Sequence, residues 1–368
     1  MTKAGKIDIS SMKKFVNKKV GLNIAHDLNE DNPTEVKEWI PTGSRWLDSI
    51  TCRGKMAGIP VGKITELAGL SSSGKSYMAC QIAAKAQERG HCVVYFDAES
   101  AIDPKFLENS GIDINDGFLY VQAVSVEKTL ETIEDLMTEY PERKFLFIWD
   151  SIAATSAEAD LEGDFNPQSS MAVKPRIFAK AFPKLTIPLA NQQCTLLLIN
   201  QLKTNIAAKG WEAMVTPYTA PGGKAIEYFC SLRIWLTKRK GKASYVTDGT
   251  GLRIGSEVKV KIEKSRFGSE GRTCGFKILW GNKVGIQDEE SWLEALRASG
   301  SDRFKPGTWN KICDAKGKEF KFQKSQWVNK LQEPEFRSVV LDIMDEEVIR
   351  KFESEGKNFG LEGEDEEG

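Results

Sequence analysis

Gly69-Leu70-Ser71-Ser72-Ser73-Gly74-Lys75-Ser76 constrains this chain more than any other segment, because it matches G-x-x-x-x-G-K-[ST] at every fixed position. It follows a predicted strand, Lys63–Ala68, and opens a predicted helix, Lys75–Arg89, with Gly90 just past the end, where glycine is favoured. Gly69 and Gly74 let successive backbone N–H groups turn inward around phosphate oxygens. A helix starting there adds a favourable field for an anion. Lys75 then reaches the β- and γ-phosphates, and the Ser76 hydroxyl binds Mg²⁺. Residues 69–76, with Tyr77 beside them, are the candidate nucleotide-binding residues. A glycine-rich turn with no ligand is the bland alternative, and the strand before it and the helix after it weigh against that.

The same alternation of strand and helix continues. Cys92–Asp97, Phe118–Gln122, Phe145–Asp150 and Thr195–Asn200 read as strands. Pro104–Asn109, Val126–Glu139 and a stretch from about Ser170 read as helices. Strands apolar on both faces, alternating with helices, imply an α/β fold with a parallel sheet covered on both sides. Pro183 should kink or end the third of these helices near Lys180. Farther on, Cys230–Leu236, Glu257–Lys264 and Cys274–Trp280 read as strands separated by glycine-rich turns, an antiparallel extension of the same sheet. The expected organisation is an N-terminal segment over 1–40, a core over 41–286, a small C-terminal domain over 287–352 and an acidic tail over 353–368. The N-terminal segment holds one amphipathic helix, Ser11–Val20, with Ser10 or Ser11 as its N-cap.

Composition narrows the class. With 40% hydrophobic and 28% charged residues the chain is an ordinary globular one. No apolar run is long enough to span a membrane, and the first residues lack a secretory signal. The 7 cysteines are scattered, without a C-x-x-C pair, and there are 2 histidines, so a zinc site is not expected and reduced thiols in a cytosol are. Cys80, Cys92 and Cys194 sit in apolar runs and read as core. A net charge of −1 says nothing for nucleic acid. Locally, residues 297–330 are rich in Lys and Arg and the chain ends GLEGEDEEG. That reads either as a DNA-facing patch with a competing tail or as a solvated surface with a solubilising one.

Two more carboxylates fit a triphosphate site. Asp150 ends the apolar strand FLFIWD, where it would hold Mg²⁺ or its water at the sheet's C-terminal edge. Glu99, after the strand ending YFDAE, is the candidate general base for an attacking water. An acid at a helix N-terminus is the plain alternative for Glu99.

Taken together, IPTGSRWLD (40–48), GKITELAGLSSSGKS (62–76), VVYFDAESAIDP (93–104), FIWDSIAAT (147–155), LLINQ (197–201), APGGKA (220–225) and SEVKVKIEKSR (256–266) resemble the RecA family of DNA recombinases, over roughly residues 40–285. The EKSR stretch and the character of the C-terminal region look closest to the recombinases of large bacteriophages. The resemblance implies a P-loop ATPase core that filaments on single-stranded DNA, hydrolyses ATP with Mg²⁺ and exchanges strands with double-stranded DNA. It implies that Glu99 activates water, that Asp103 and Phe106 contact and stack on adenine, and that Gln201 senses the γ-phosphate. Lys264 and Arg266 would reach a neighbouring subunit's ATP; read without the resemblance, they are a solvated strand end. Two DNA-binding loops are implied at about 156–175 and 202–224, with Met171, Arg176, Lys203, Gly222, Gly223 and Lys224 as contacts. Partners implied are a homo-oligomeric helical filament, single- and double-stranded DNA, a single-strand-binding protein and a loader, in a bacterial or phage-infected cytosol. Among the C-terminal aromatics Phe304, Trp309, Phe320, Phe322 and Trp327, most read as that region's own core. The rival readings are a ring-forming helicase-like motor with the same core and a non-catalytic ATP-binding module.

Overall fold

Strand β1, Ile64–Gly69, is buried at every position, so both of its faces need cover. The helices that follow each strand supply it. This computed structural model describes residues 9–21, 25–28, 32, 35–100, 102–162, 173–207, 209–211, 217–238, 241–280 and 285–348. After β1 come β2 (Cys92–Asp97), β3 (Phe118–Gln122), β4 (Phe145–Asp150), β5 (Thr195–Gln201) and β6 (Leu232–Thr237). They pair in parallel in the order β6-β1-β5-β4-β2-β3. Beyond β6 the pairing turns antiparallel through β8 (Arg253–Ser265), β9 (Thr273–Leu279) and β10 (Gly285–Gln287), while β7 (Tyr245–Thr247) pairs with β8.

The expected α/β architecture is therefore present, with one correction: β6 belongs to the parallel set. Leu232–Thr237 runs alongside β1, and only its other edge meets an antiparallel neighbour. Apolar alternation reveals that a strand exists but not which way it runs.

The helices described up to residue 192 are numbered in chain order. They are α1 (Ser10–Val20), α2 (Arg45–Ile50), α3 (Lys75–Gln87), α4 (Pro104–Asn109), α5 (Val126–Glu139), α6 (Glu158–Glu162) and α7 (Val173–Gln192). On one face of the sheet α3 packs Met78, Ile82 and Ala83 against Leu67, Leu197 and Ile148. On the other, α5 and α7 bring Leu130, Ile133, Phe178 and Phe182 onto Val94, Phe147 and Leu198. Pro183 does not end α7, which runs on to Gln192. Its buried stripe of Phe178, Phe182, Leu185 and Leu189 continues through the proline, and burial of four large side chains outweighs the lost backbone hydrogen bond.

Residues up to Glu38 form a compact unit of their own. In it, α1 starts at Ser10 with Ile9 in the cap position, so neither Ser10 nor Ser11 is the N-cap. Ile9 already has helical dihedrals, which puts both serines inside the first turn. The helix buries none of its side chains, and Phe15 and Met12 are exposed.

Past β10, α9 (Glu289–Ser299) and α10 (Pro334–Ile343) enclose a third apolar cluster with Phe304, Ile312, Phe322 and Trp327. Phe304, Phe322 and Trp327 are buried and Phe320 is half-buried, as expected of core aromatics, whereas Trp309 is exposed. Trp46 packs against both this cluster and the sheet core. Asp288 fastens the junction by accepting from the Ser44 hydroxyl at 3.0 Å and the Trp46 N–H at 2.9 Å. Next to it, Asp48 accepts from the Thr42 N–H at 2.9 Å and its hydroxyl at 2.7 Å.

Burial above all, with Asp288 adding to it against the Thr42 hydrogen bonds, pushes the Asp48 carboxyl up from 3.8 to about 7. The native state then holds a proton that the unfolded chain releases near 3.8. That contribution is complete below about pH 4, declines as pH rises toward 7 and is lost above it. Denaturant midpoints measured from pH 4 to 8 should fall across this window in the wild type and fall less in Asp48→Asn; parallel profiles would contradict the assignment.

Candidate functional site

The site is built at the C-terminal ends of four adjacent strands, β1, β5, β4 and β2. Register sets their spacing: Gly69 lies opposite Gln201, and Asp97 opposite Asp150. The loop leaving β1 is closed by backbone contacts on both sides. Leu70 N–H donates to Leu236 O, and Leu202 N–H donates to Gly69 O. A Cβ on Gly69 would meet Leu236 O at 2.8 Å and Ser73 Oγ at 2.5 Å, which explains glycine there. Gly74, the residue before α3, has φ +88, a backbone that side chains disfavour. Ser73 Oγ is buried without a hydrogen-bond partner among the described residues.

Lys75 opens α3 and is nearly buried, its Nζ donating to Leu70 O at 3.1 Å. Desolvation lowers its pKa; Asp150 and Glu99 nearby act against that, and Lys238 acts with it. Asp150 is held by Tyr95, whose hydroxyl donates to Oδ2 at 2.8 Å, and by a hydrogen bond with Ser76. Burial raises its pKa against those two bonds. Glu99 stands exposed on the turn after β2, where its N–H donates to Asp97 Oδ1 at 2.9 Å. Glu99 Oε1 accepts from the Ser151 hydroxyl at 2.9 Å and from Gln201 Nε2 at 3.1 Å. Thus Lys75, Ser76, Asp150, Glu99 and Gln201 form one group.

Other expected residues lie nearby or elsewhere. Asp103 is the N-cap of α4, accepting from Lys105 N–H at 3.1 Å. Phe106, half-buried, meets Tyr77 edge-on with ring centroids 6.0 Å apart. Tyr77 is buried in the core, its hydroxyl has no partner among the described residues, and burial pushes its pKa up to about 12. Lys264 and Arg266 stand apart from the group. Lys264 lies opposite Arg233 in register. It donates to the Glu227 and Tyr228 carbonyls, and Arg266 donates to Tyr228 O at 2.8 Å. Both cations therefore cap the last turn of α8, Lys224–Phe229, a favourable place for positive charge.

The first turn of α8 borders the second expected loop. Lys203–Thr204 pairs with Tyr218–Thr219 at the base of that loop. Ile206 and Trp211 are among its most exposed side chains, at 90% and 78%. Gly222 and Gly223 both have positive φ, and a Cβ there would meet Ile226 at 2.1 Å and Pro175 at 3.0 Å. Ala153, Asp160, Lys174, Lys203 and Gly222 line one cleft of about 320 Å³. Arg176 and Lys224 are exposed; Met171 lies outside the described residues. Lys184 pairs with Glu134 at 2.6 Å, which offsets its charge.

Sequence reasoning missed three partners. Lys238 donates to Ser72 O at 2.9 Å, placing a second cation against the loop. Its only signal is the basic run after β6. Lys174 lies close to Lys203 through the fold, and its Nζ donates to Ala153 O at 3.3 Å. The Tyr95 contact with Asp150 spans strands and has no local signature.

Comparison with known proteins gives a consistent match. The RecA N-terminal domain family matches residues 7–286. Protein RecA of Mannheimia haemolytica is 34% identical over 272 residues, 74% of this chain and 69% of the relative. Protein RecA of Frankia casuarinae is 33% identical over 294 residues, 80% of this chain and 79% of the relative. Protein RecA of Wigglesworthia glossinidia brevipalpis is 30% identical over 315 residues, 84% and 89% of the two chains.

The close approach at Gly69 yields a test. Gly69→Ala should weaken binding of a fluorescent ATP analogue at least about tenfold, the equivalent of 1.4 kcal/mol, by displacing the loop from Leu236. Unchanged affinity would show that this approach is not needed for the phosphate site.

Proposed function

The chain belongs to the RecA family, and from that premise we propose that it is an ATP-dependent recombination protein that filaments on single-stranded DNA, hydrolyses ATP and exchanges strands with a homologous duplex. The observation that carries this is the convergence of Lys75, Ser76, Asp150, Glu99 and Gln201 on four neighbouring strand ends. The resemblance supplies the rest, including the narrower likeness to phage recombinases, which the EKSR stretch carries.

The site fits a triphosphate with Mg²⁺. A glycine cradle that a Cβ would fill and the unpartnered Ser73 hydroxyl suit phosphate oxygens. Ser76 and Asp150 offer two hard oxygen donors side by side. Among the described residues no group of three or more His, Cys, Asp or Glu could hold a metal unaided. Mg²⁺ does not require one, since it is commonly held by one or two protein oxygens together with phosphates and water. Bound there, it neutralises charge on the β- and γ-phosphates.

Each protein group then has a role. Lys75 places its charge on the β- and γ-phosphates. Glu99 accepts the proton of the attacking water, with Ser151 and Gln201 orienting its carboxylate. Phe106 offers a ring face to adenine, with Asp103 at its rim. Lys264 and Arg266 stand clear of their own subunit's group, as suits cations that serve the next subunit's ATP. Lys203, Lys224, Arg176, the Gly222-Gly223 turn and Met171 form the DNA-facing set, which grips backbone more than base edges. Binding should therefore weaken with salt.

No helix among the described residues is long and apolar enough to cross a membrane. We place the protein in a bacterial or phage-infected cytosol, with a single-strand-binding protein and a loader as partners. The small C-terminal domain, 287–352, takes the duplex on its Lys- and Arg-rich stretch 297–330 in this reading. Its charge is partly matched: Arg303 pairs with Glu346, Lys330 with Glu333 and Lys318 with Glu335.

ATP turnover in the wild type should rise on adding single-stranded DNA. Glu99→Gln should cut that turnover at least about a hundredfold while filaments still form in electron micrographs. Turnover near the wild-type rate in Glu99→Gln would remove Glu99 from the base role.

A further inference from the structure

Tyr95 is wholly buried in the apolar cluster that α3 covers. Its neighbours along β2, Val93, Val94 and Phe96, are buried and apolar. A hydroxyl brought into such a place costs free energy unless it is bonded. The bond it makes is to a carboxylate, since it donates to Asp150 Oδ2 at 2.8 Å. A phenylalanine ring would serve the packing equally, so the purpose of the hydroxyl is better sought in what it holds.

Strand pairing explains the contact. β2 and β4 run in parallel with Tyr95 opposite Ile148, and Asp150 follows two residues on, at the same face of the sheet. The length of the tyrosine ring spans that diagonal step. Ser76 bonds the same carboxylate from the first turn of α3. Asp150 is thus tied from two elements, and two bonds together stop its carboxylate from rotating about Cβ–Cγ. Tyr95 has no exposed surface and Asp150 very little, so water does not replace the hydroxyl. Tyr120 offers a contrast on the next strand. Its hydroxyl donates to Asp97 Oδ2 at 3.2 Å and not to Asp150.

A metal held by one or two protein oxygens with phosphates and water depends on how those oxygens are aimed. Residues that bond a metal's ligands without touching the metal commonly set its affinity. We propose that Tyr95 is a positioning residue for the divalent metal: its hydroxyl fixes the Asp150 carboxylate in the orientation that receives Mg²⁺ with the nucleotide, and so sets how tightly the metal is held. The inference rests on the reading that this chain binds ATP with Mg²⁺ at Ser76 and Asp150.

The test reads metal binding and not turnover. Mn²⁺, followed by the electron paramagnetic resonance of the free ion, is titrated into the full chain held in excess over ATPγS. Tyr95→Phe should raise the Mn²⁺ dissociation constant at least about tenfold, while ATPγS affinity in EDTA stays within about twofold of the wild type. A merely structural role for Tyr95 would weaken nucleotide binding with and without metal alike. That outcome, or an unchanged Mn²⁺ constant in folded Tyr95→Phe, overturns the proposal. Tyr120→Phe should leave the Mn²⁺ constant as it is, and an equal loss there would show that the effect does not run through Asp150 and overturns it too. Should Tyr95→Phe fail to fold, 3-fluorotyrosine incorporated at position 95 of an otherwise wild-type chain decides. Its fluorine resonance should move when Mg²⁺ is added to the ATPγS complex, and a resonance that stays put overturns the proposal. A wild type that binds no ATPγS, or binds it without taking up Mn²⁺, would instead strike at the functional reading, and the inference falls with it.

Discussion

Parallel hydrogen bonding among β1, β5, β4 and β2 sets every distance at the candidate site. Each strand contributes a different group at its C-terminal end: the phosphate loop, Gln201, Asp150 and Glu99. Because Gly69 faces Gln201 and Asp97 faces Asp150, a slip of one residue in either pairing would turn these side chains to the opposite face of the sheet. The apolar clusters above and below are what hold the register. Leu67, Leu197 and Ile148 face one side, and Val94, Phe147 and Leu198 face the other. The core therefore fixes the geometry of a site that contains almost none of its residues.

Polar groups beneath the site extend this dependence. Tyr95 and Ser76 anchor Asp150, Ser151 and Gln201 hold Glu99, and Asp97 shapes the turn that carries Glu99. The Tyr95, Ser151 and Gln201 contacts join residues from different strand ends, so none of these works unless the sheet is formed. Fixed donors and acceptors of this kind need not reorganise as charge develops, which is the usual source of an enzyme's electrostatic advantage. Lys238, bonded to Ser72 O, adds positive charge to a loop already suited to anions.

Much of the fold was legible in the sequence because its signals are local. The phosphate loop is a contiguous motif, and the buried strands are short apolar runs ending in Asp or polar residues. Phe145–Asp150 and Cys92–Asp97 have the bounds read from sequence. What was not legible depends on contacts between distant segments. The direction of Leu232–Thr237 follows from which neighbour it meets. The survival of α7 past Pro183 follows from the cluster it packs on. In the site, Lys75, Ser76 and Asp150 could be named from motif and strand pattern, and Glu99 from its place after a strand. Gln201, Lys264 and Arg266 came only through resemblance to a family. Tyr95 looks like one more core member of its strand, and only the alignment of β2 with β4 brings its hydroxyl to Asp150.

The central claim is that this sheet carries a strand-exchange engine and not a duplex-unwinding motor built on the same core. A strand-exchange assay tests it most directly, using circular single-stranded DNA, linear duplex, ATP and Mg²⁺, with homologous and unrelated duplexes in parallel. The account predicts joint molecules with the homologous duplex alone, and only when ATP is present. Equal yields from both duplexes, or unwinding of a forked substrate without any pairing, would contradict it.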